Sequence, residues 1–273
     1  MASALHPDLL PAARLVPRGS LTARRLRAVR WLTRLRKVPH LPRLDDVDVE
    51  DHAAPAPDGG RPVPVRVYRP AGVDEPVPAL LWLHGGGFVL GDAYQDEKAN
   101  LALVRDLGIA VAAVDYRLAP EEPFPAGLDD ADAALRWLHG SAADLGVDAG
   151  RLAVGGASAG GGLAAGVVLR AHDAGEVPVT FQLLIYPMLD DRTVTRADLD
   201  DGDCRMWIAA SNRFGWSAYL GVEPGSDGIS AYAAPARRED LTDLPPAWIG
   251  VGTCDLVHDE DVAYAHRLTD AGV

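Results

Sequence analysis

Cysteine is nearly absent: Cys204 and Cys254 are the only two in 273 residues. Two thiols cannot make a disulfide framework, and no CxxC pair offers a metal site, so a reducing, cytoplasmic setting is expected. Long apolar runs are missing too. None approaches the ~18 residues of a bilayer span, which argues against stable membrane insertion. No basic stretch followed by an apolar one opens the sequence, so no signal peptide is expected. Positive charge is scarce, with 26 Lys and Arg against 39 Asp and Glu and a formal net charge of −13. Phosphate binding needs a positive face, so a nucleic-acid binder is disfavoured. Internal repeats and low-complexity tracts are not seen. What is present is an ordinary folded composition, 48% hydrophobic and 24% charged, which excludes a disordered chain.

One stretch breaks the acidic trend. Arg24, Arg25, Arg27, Arg30, Arg34, Arg36 and Lys37 follow one another with no acid between them. Leu26, Val29, Leu32 or Thr33, and Leu35 recur among them at helical spacing. A membrane-surface helix or a transit peptide would read this way. An amphipathic helix packed on an otherwise acidic protein reads the same way and is the expectation. Residues 1–44 thus form a helical segment broken at Pro39 and Pro42.

Residues 46–50 and 63–68 alternate in polarity and predict a hairpin, with a turn-rich loop over 53–60. Then the pattern changes. Residues 79–83, 109–114, 152–154, 181–185 and 247–251 are nearly continuous apolar runs, as in strands buried on both faces. Helical patterns over 97–107, 127–139, 159–174 and 259–271 lie between or after them. Such alternation predicts an α/β fold with a mostly parallel sheet covered on both sides. Residues 190–221 interrupt it with an acidic patch followed by Trp207, Phe214, Trp216 and Tyr219. A connection this long is expected to be a lid or functional loop, whose aromatics would line an apolar pocket or form the lid's own core.

Three motifs could carry chemistry. Gly156-Ala157-Ser158-Ala159-Gly160 follows a short strand and opens a helix of small residues. In such an elbow the flanking glycines make room, and the serine hydroxyl stands at the helix N-terminus above the sheet. A Gly-rich turn serving only helix–sheet packing is the alternative. His84-Gly85-Gly86-Gly87 follows the strand over 79–83. Its glycines let the backbone approach a substrate, and the amides of Gly86, Gly87 and Ala159 would supply three oxyanion donors. His84 could be a base, but at a strand end it more plausibly shapes the loop together with Gly85. A phosphate cradle is disfavoured without the Lys and Ser/Thr of a nucleotide loop. Third, Asp255 lies just past the run 247–251, where a triad acid belongs. It could equally be a turn or cap carboxylate, and Asp259 is the expected N-cap of the last helix.

Together these motifs resemble the hormone-sensitive-lipase family of α/β-hydrolase carboxylesterases. The glycine motif begins 74 residues before Ser158 and Asp255 lies 97 after it, with Asp115-Tyr-Arg-Leu-Ala-Pro-Glu-Glu-Pro-Phe-Pro-Ala126 between. The resemblance spans residues 45–273, and the segment 1–44 looks like the family's cap. It implies a serine esterase acting on small carboxylic esters, with no metal or organic cofactor, and leaves the oligomeric state open. Ala157 departs from the acidic or hydroxyl residue usual before the serine. A second departure matters more. The family's catalytic His follows its Asp by roughly thirty residues after one more strand, whereas this sequence ends eighteen residues past Asp255. His258 and His266 alone lie beyond Asp255, and neither is expected to reach Ser158. The expectation is a chain that stops before its base, lacks the last strand and helix, and is nearly inactive. The alternative is a non-catalytic small-molecule binding protein of the same fold.

Overall fold

Seven strands form where β-branched and small apolar residues dominate: β1 (Val47–Ala54), β2 (Val63–Pro70), β3 (Val77–Leu83), β4 (Ala110–Val114), β5 (Val147–Ala157), β6 (Val179–Ile185) and β7 (Ala247–Gly250). The computed structural model describes residues 6–16, 19–34, 44–56 and 59–273. The strands make one sheet in the order β1-β2-β4-β3-β5-β6-β7. β1 and β2 form the expected antiparallel hairpin, and β2 is antiparallel to β4. From β4 through β3, β5 and β6 to β7 every pairing is parallel.

The helices are α1 (Leu10–Leu15), α2 (Ala23–Arg34), α3 (Glu97–Leu107), α4 (Ala126–Gly140), α5 (Ala159–Ala174), α6 (Ala209–Leu220) and α7 (His258–Asp270). Alternate side chains of a strand point to opposite faces. Leu80 and Trp82 of β3 therefore join Leu101 and Val104 of α3 on one side of the sheet. Leu81 and Leu83 join Leu128 and Leu135 of α4 and Leu163 and Val167 of α5 on the other. This two-sided cover is the α/β architecture that the alternating pattern predicts.

Four expectations need correction. Burial on both faces holds for β3 and β4 but not for β6 and β7, where Phe181 is 37% and Trp248 51% exposed. An apolar run records what a strand can bury, and the elements packed against it decide what it does bury. Residues 53 and 54 extend β1 rather than opening the loop. Segment 190–221 contains a full helix, α6, ended by Gly221 in the left-handed region at φ 68°. Its bulky residues do not recur on one stripe, so no helical period stood out. Finally, of the expected apolar face of α2 only Leu26 is buried, while Val29 and Leu32 are exposed. Leu35, Arg36, Lys37, Pro39 and Pro42 lie outside the described residues.

Candidate active site

Strand register brings the motifs to one edge of the sheet. Leu83 at the end of β3 pairs with Gly156 in β5, Ala157 with Ile185 of β6, and Ile185 with Gly250 of β7. The Gly loop, Ser158 and Asp255 thus all leave from the carboxyl ends of neighbouring parallel strands, where open α/β sheets bind ligands.

Ser158 sits between β5 and α5 at φ 57°, ψ −121°. A serine in this sparsely populated region costs roughly 1–3 kcal/mol and needs support from its surroundings. Its N–H donates to the Ile185 carbonyl at 2.9 Å, and its own carbonyl accepts from Gly162 and Met188 at 3.1 and 3.0 Å. Its side chain stands at the helix N-cap but does not cap the helix, which leaves the hydroxyl free. The flanking glycines are sterically required. A Cβ at Gly156 would lie 2.4 Å from Gly160, and one at Gly160 would lie 2.0 Å from the Leu83 carbonyl oxygen.

The Gly loop abuts this elbow. A Cβ on Gly85 would meet the Ala157 carbonyl at 3.0 Å and the Ser158 Cβ at 3.5 Å. Gly86 and Gly87 have φ of 137° and 59°, conformations that glycine adopts without a steric penalty. A Cβ at Gly87 would lie 2.0 Å from the Trp207 ring. Ala159, fully buried, is the first residue of α5, where first-turn amides lack intrahelical acceptors. No acidic residue sits in that first turn, so the positive helix end is uncompensated.

His84 is buried beneath the loop, 1% exposed. Its Nδ1 lies 2.9 Å from the Gly85 carbonyl oxygen, which selects the tautomer with hydrogen on Nδ1. Its ring stacks on Tyr116 at 4.2 Å, and the Tyr116 hydroxyl donates to the His84 carbonyl at 2.6 Å. Burial lowers the imidazole pKa and keeps the ring neutral. This environment fits a loop-shaping residue. It also explains the segment after β4: Tyr116 carries the histidine, and the Ala119 N–H donates to the Phe88 carbonyl at 3.0 Å. Arg117 locks that segment to α4 through a bidentate pair with the buried Asp130, at 2.8–3.0 Å.

Asp255 follows β7 in a turn. Its Oδ1 accepts from the Val257 N–H at 3.2 Å, and its carbonyl accepts from the His258 N–H at 3.3 Å. Asp259 is not the N-cap. Helix α7 starts at His258 with Val257 at the cap position and no side-chain cap bond. Asp259 instead pairs with Arg196 at 2.9 Å and lies 3.0 Å from His258 Nδ1. The arginine outcompetes the backbone for this exposed carboxylate.

A cavity of about 820 Å³ joins these parts. Gly85–Gly87, Ser158 and Asp255 line it, as do Tyr186, Met188, Trp207 and both cysteines. None of the described histidines lines it, neither His84 nor His258 nor His266. Of the lid aromatics, Trp207 faces the cavity, whereas Trp216 is fully buried against Phe88 at 5.1 Å and Phe214 packs on the core. Two wall residues carry no sign of that place in the sequence. Tyr186 is held at φ 36°, and its N–H donates to the Gly250 carbonyl at 2.7 Å. Cys204, whose Sγ lies 3.5 Å from the Cys254 carbonyl oxygen, joins the segment 190–221 to the Asp255 turn. The β6–β7 register, invisible in the sequence, brings Tyr186 to the site, and the contact with the Cys254 carbonyl brings Cys204 there. Among the described residues no group of His, Cys, Asp and Glu could hold a metal ion.

Comparison with known proteins agrees with this architecture. Residues 80–273 match the profile of the alpha/beta hydrolase fold family. The chain is 37% identical over 277 residues to esterase LipI of Mycobacterium tuberculosis, covering 99% of this chain and 83% of that protein. It is 39% identical to carboxylesterase NlhH of the same species, covering 89% and 75%. The solved structure of a bacterial heroin esterase superposes with a TM-score of 0.90 at 41% identity, covering 98% of this chain and 86% of that one. The three relatives just named are esterases, and the chain belongs to the α/β-hydrolase fold family.

Proposed function

We propose that this chain is built to cleave small carboxylic esters through an acyl-enzyme on Ser158. The observation that carries the reading is the packing of Gly85 against the strained Ser158 elbow, inside a cavity that Asp255 also lines. The Ser158 hydroxyl attacks the ester carbonyl and gives its proton to a base. The amides of Gly86, Gly87 and Ala159 take the oxyanion, a lost donor of this kind costing ~2.7–4 kcal/mol of barrier. The tetrahedral adduct collapses, the alcohol leaves with a proton, and water then hydrolyses the acyl-serine. Asp255 orients and stabilises an imidazole acting as that base. Segments 1–44 and 190–221 act as cap and lid on the core 45–273.

No described histidine lines the cavity, so in this reading none of the described histidines supplies the base. Without one, a serine at its ordinary pKa is a poor nucleophile. The expected rate on p-nitrophenyl acetate is about 10²–10⁴-fold or more below that of an intact esterase. The test compares the chain and Ser158→Ala on that ester, with and without millimolar imidazole. A faint rate that imidazole raises and Ser158→Ala removes supports both parts. Full esterase turnover without imidazole overturns the missing base. An equal residual rate in Ser158→Ala overturns the nucleophile and leaves a small-molecule binding protein.

A further inference from the structure

Helix α2 has three stripes that do three different things. Leu26, 3% exposed, and Arg30 anchor it. Arg30 donates to the carbonyls of Val89 at 2.8 Å and Ala119 at 2.5 Å and pairs with Glu121. A second stripe, Arg25, Ala28, Val29 and Leu32, lines the cavity. The third, Arg24, Arg27 and Trp31, follows i, i+3, i+7 spacing and so shares one face, and that face is exposed. The helix contains no acidic residue. Arg24, Arg25 and Arg27 have no carboxylate partner among the described residues, and the last two bond only to nearby backbone carbonyls. On a chain of net charge −13, this is a local concentration of unneutralised positive charge. It lies beside large exposed apolar groups, with Trp31 63%, Leu32 58% and Met206 82% exposed. Leu32 and Met206 line the cavity together with Arg25, and the exposed Arg24, Arg27 and Trp31 lie on the adjoining face of the same helix.

Packing on an acidic protein accounts for Leu26 and Arg30, and the cavity accounts for the second stripe, which leaves the exposed Arg24, Arg27 and Trp31 unexplained. We propose that this face of α2 and the cavity rim dock on an anionic lipid surface, with the arginines on the phosphates and Trp31, Leu32 and Met206 in the headgroup region. Arginines and a tryptophan on one helix face, bordered by exposed apolar groups, are the chemistry of interfacial helices. Docking is peripheral, since no described helix is long and apolar enough to cross a membrane. It also turns the cavity mouth toward the phase into which apolar esters partition. The surface stands without the esterase reading, because binding is read with no turnover.

The test is co-sedimentation of the full chain with phosphatidylcholine vesicles, with and without about one third phosphatidylglycerol. Binding to the anionic vesicles is expected to be at least about tenfold tighter at low salt and to vanish near 1 M salt, where the Debye length is ~3 Å. Arg24→Glu/Arg27→Glu should lose that binding, while the control Arg61→Glu/Lys98→Glu, an equal charge change at exposed sites off the cavity, should keep it. Brominated lipid should quench tryptophan fluorescence of the native chain, and Trp31→Phe should remove most of the quenching, which serves if the double variant misfolds. Equal affinity for neutral vesicles, equal loss in the control, or quenching unchanged by Trp31→Phe overturns the proposal. An acidic protein partner in place of a lipid would give the first or the last of these results.

Discussion

At the scale of single residues, the site depends on where Cβ atoms are absent. Gly160 has ordinary dihedrals, so its requirement is for space alone: an added Cβ would meet two backbone carbonyls, Leu83 at 2.0 Å and His84 at 2.4 Å. Neither can swing away as a side chain would. Gly160→Ala is expected to destabilise by at least ~1–3 kcal/mol, the range for forcing atoms into a packed core. Gly140, the last residue of α4, offers the contrast, since nothing lies within 4 Å of its added Cβ. Gly140→Ala should be neutral or stabilising by ~0.4–1 kcal/mol through the unfolded chain. Urea unfolding of the two variants checks both, and similar midpoints would refute the steric account.

At the scale of an element, α7 carries an unusual start. Glu260, 8% exposed, accepts from the N–H groups of Leu189 at 2.8 Å and Asp190 at 3.1 Å and from the Thr193 hydroxyl. It thereby ties the chain after β6 to the helix behind the Asp255 turn. Burial pushes its pKa up to about 8, and burial with the Glu260 charge beside it pushes Asp261 to about 10. A carboxyl whose folded pKa is raised binds its proton more tightly when folded. Its contribution to stability is complete below the unfolded pKa and declines as pH rises toward the folded value. Between about pH 4.5 and 8 the native chain should therefore lose stability relative to Glu260→Gln, by at most ~1.4 kcal/mol per pH unit. The amide keeps an acceptor for the two N–H groups and a donor for Thr193. Urea midpoints at pH 5 and 8.5 read the difference, and parallel curves would show that Glu260 is ionised throughout.

At the scale of the whole molecule, two stretches far apart in sequence meet beside the cavity. The Leu21 N–H donates to the buried Ser211 hydroxyl at 2.9 Å, joining the N-terminal segment to α6 across 190 residues. Cys204 joins the segment 190–221 to the turn after β7. Removing the first tie should loosen the cap without touching the sheet. Ser211→Ala is expected to cost ~0.5–1.5 kcal/mol for the lost hydrogen bond. The segment around Leu21 should then be cleaved faster in limited proteolysis while cleavage elsewhere is unchanged. Uniformly faster cleavage would mean that the tie supports the core rather than the cap.

The positions of the strands, the sheet class and the two glycine motifs were legible in the sequence. Each is local: an apolar run, a period of 3.6, or a glycine that a strand-to-helix turn needs in its own few residues. The helices 97–107 and 159–174 were legible to the residue because their ends carry Gly108 and Gly175 in the left-handed conformation. Only the tertiary structure decided what depends on partners distant in the chain. Asp259 has an N-cap residue's side chain, but Arg196, 63 residues away, takes it. Glu260 looks like part of an exposed acidic helix start until the chain after β6 supplies the partners that hold it buried. The apolar pattern of α2 was legible, but not its division into an anchor, a cavity wall and a free cationic face. That division follows from where the helix lies over the sheet, which no spacing within the helix encodes.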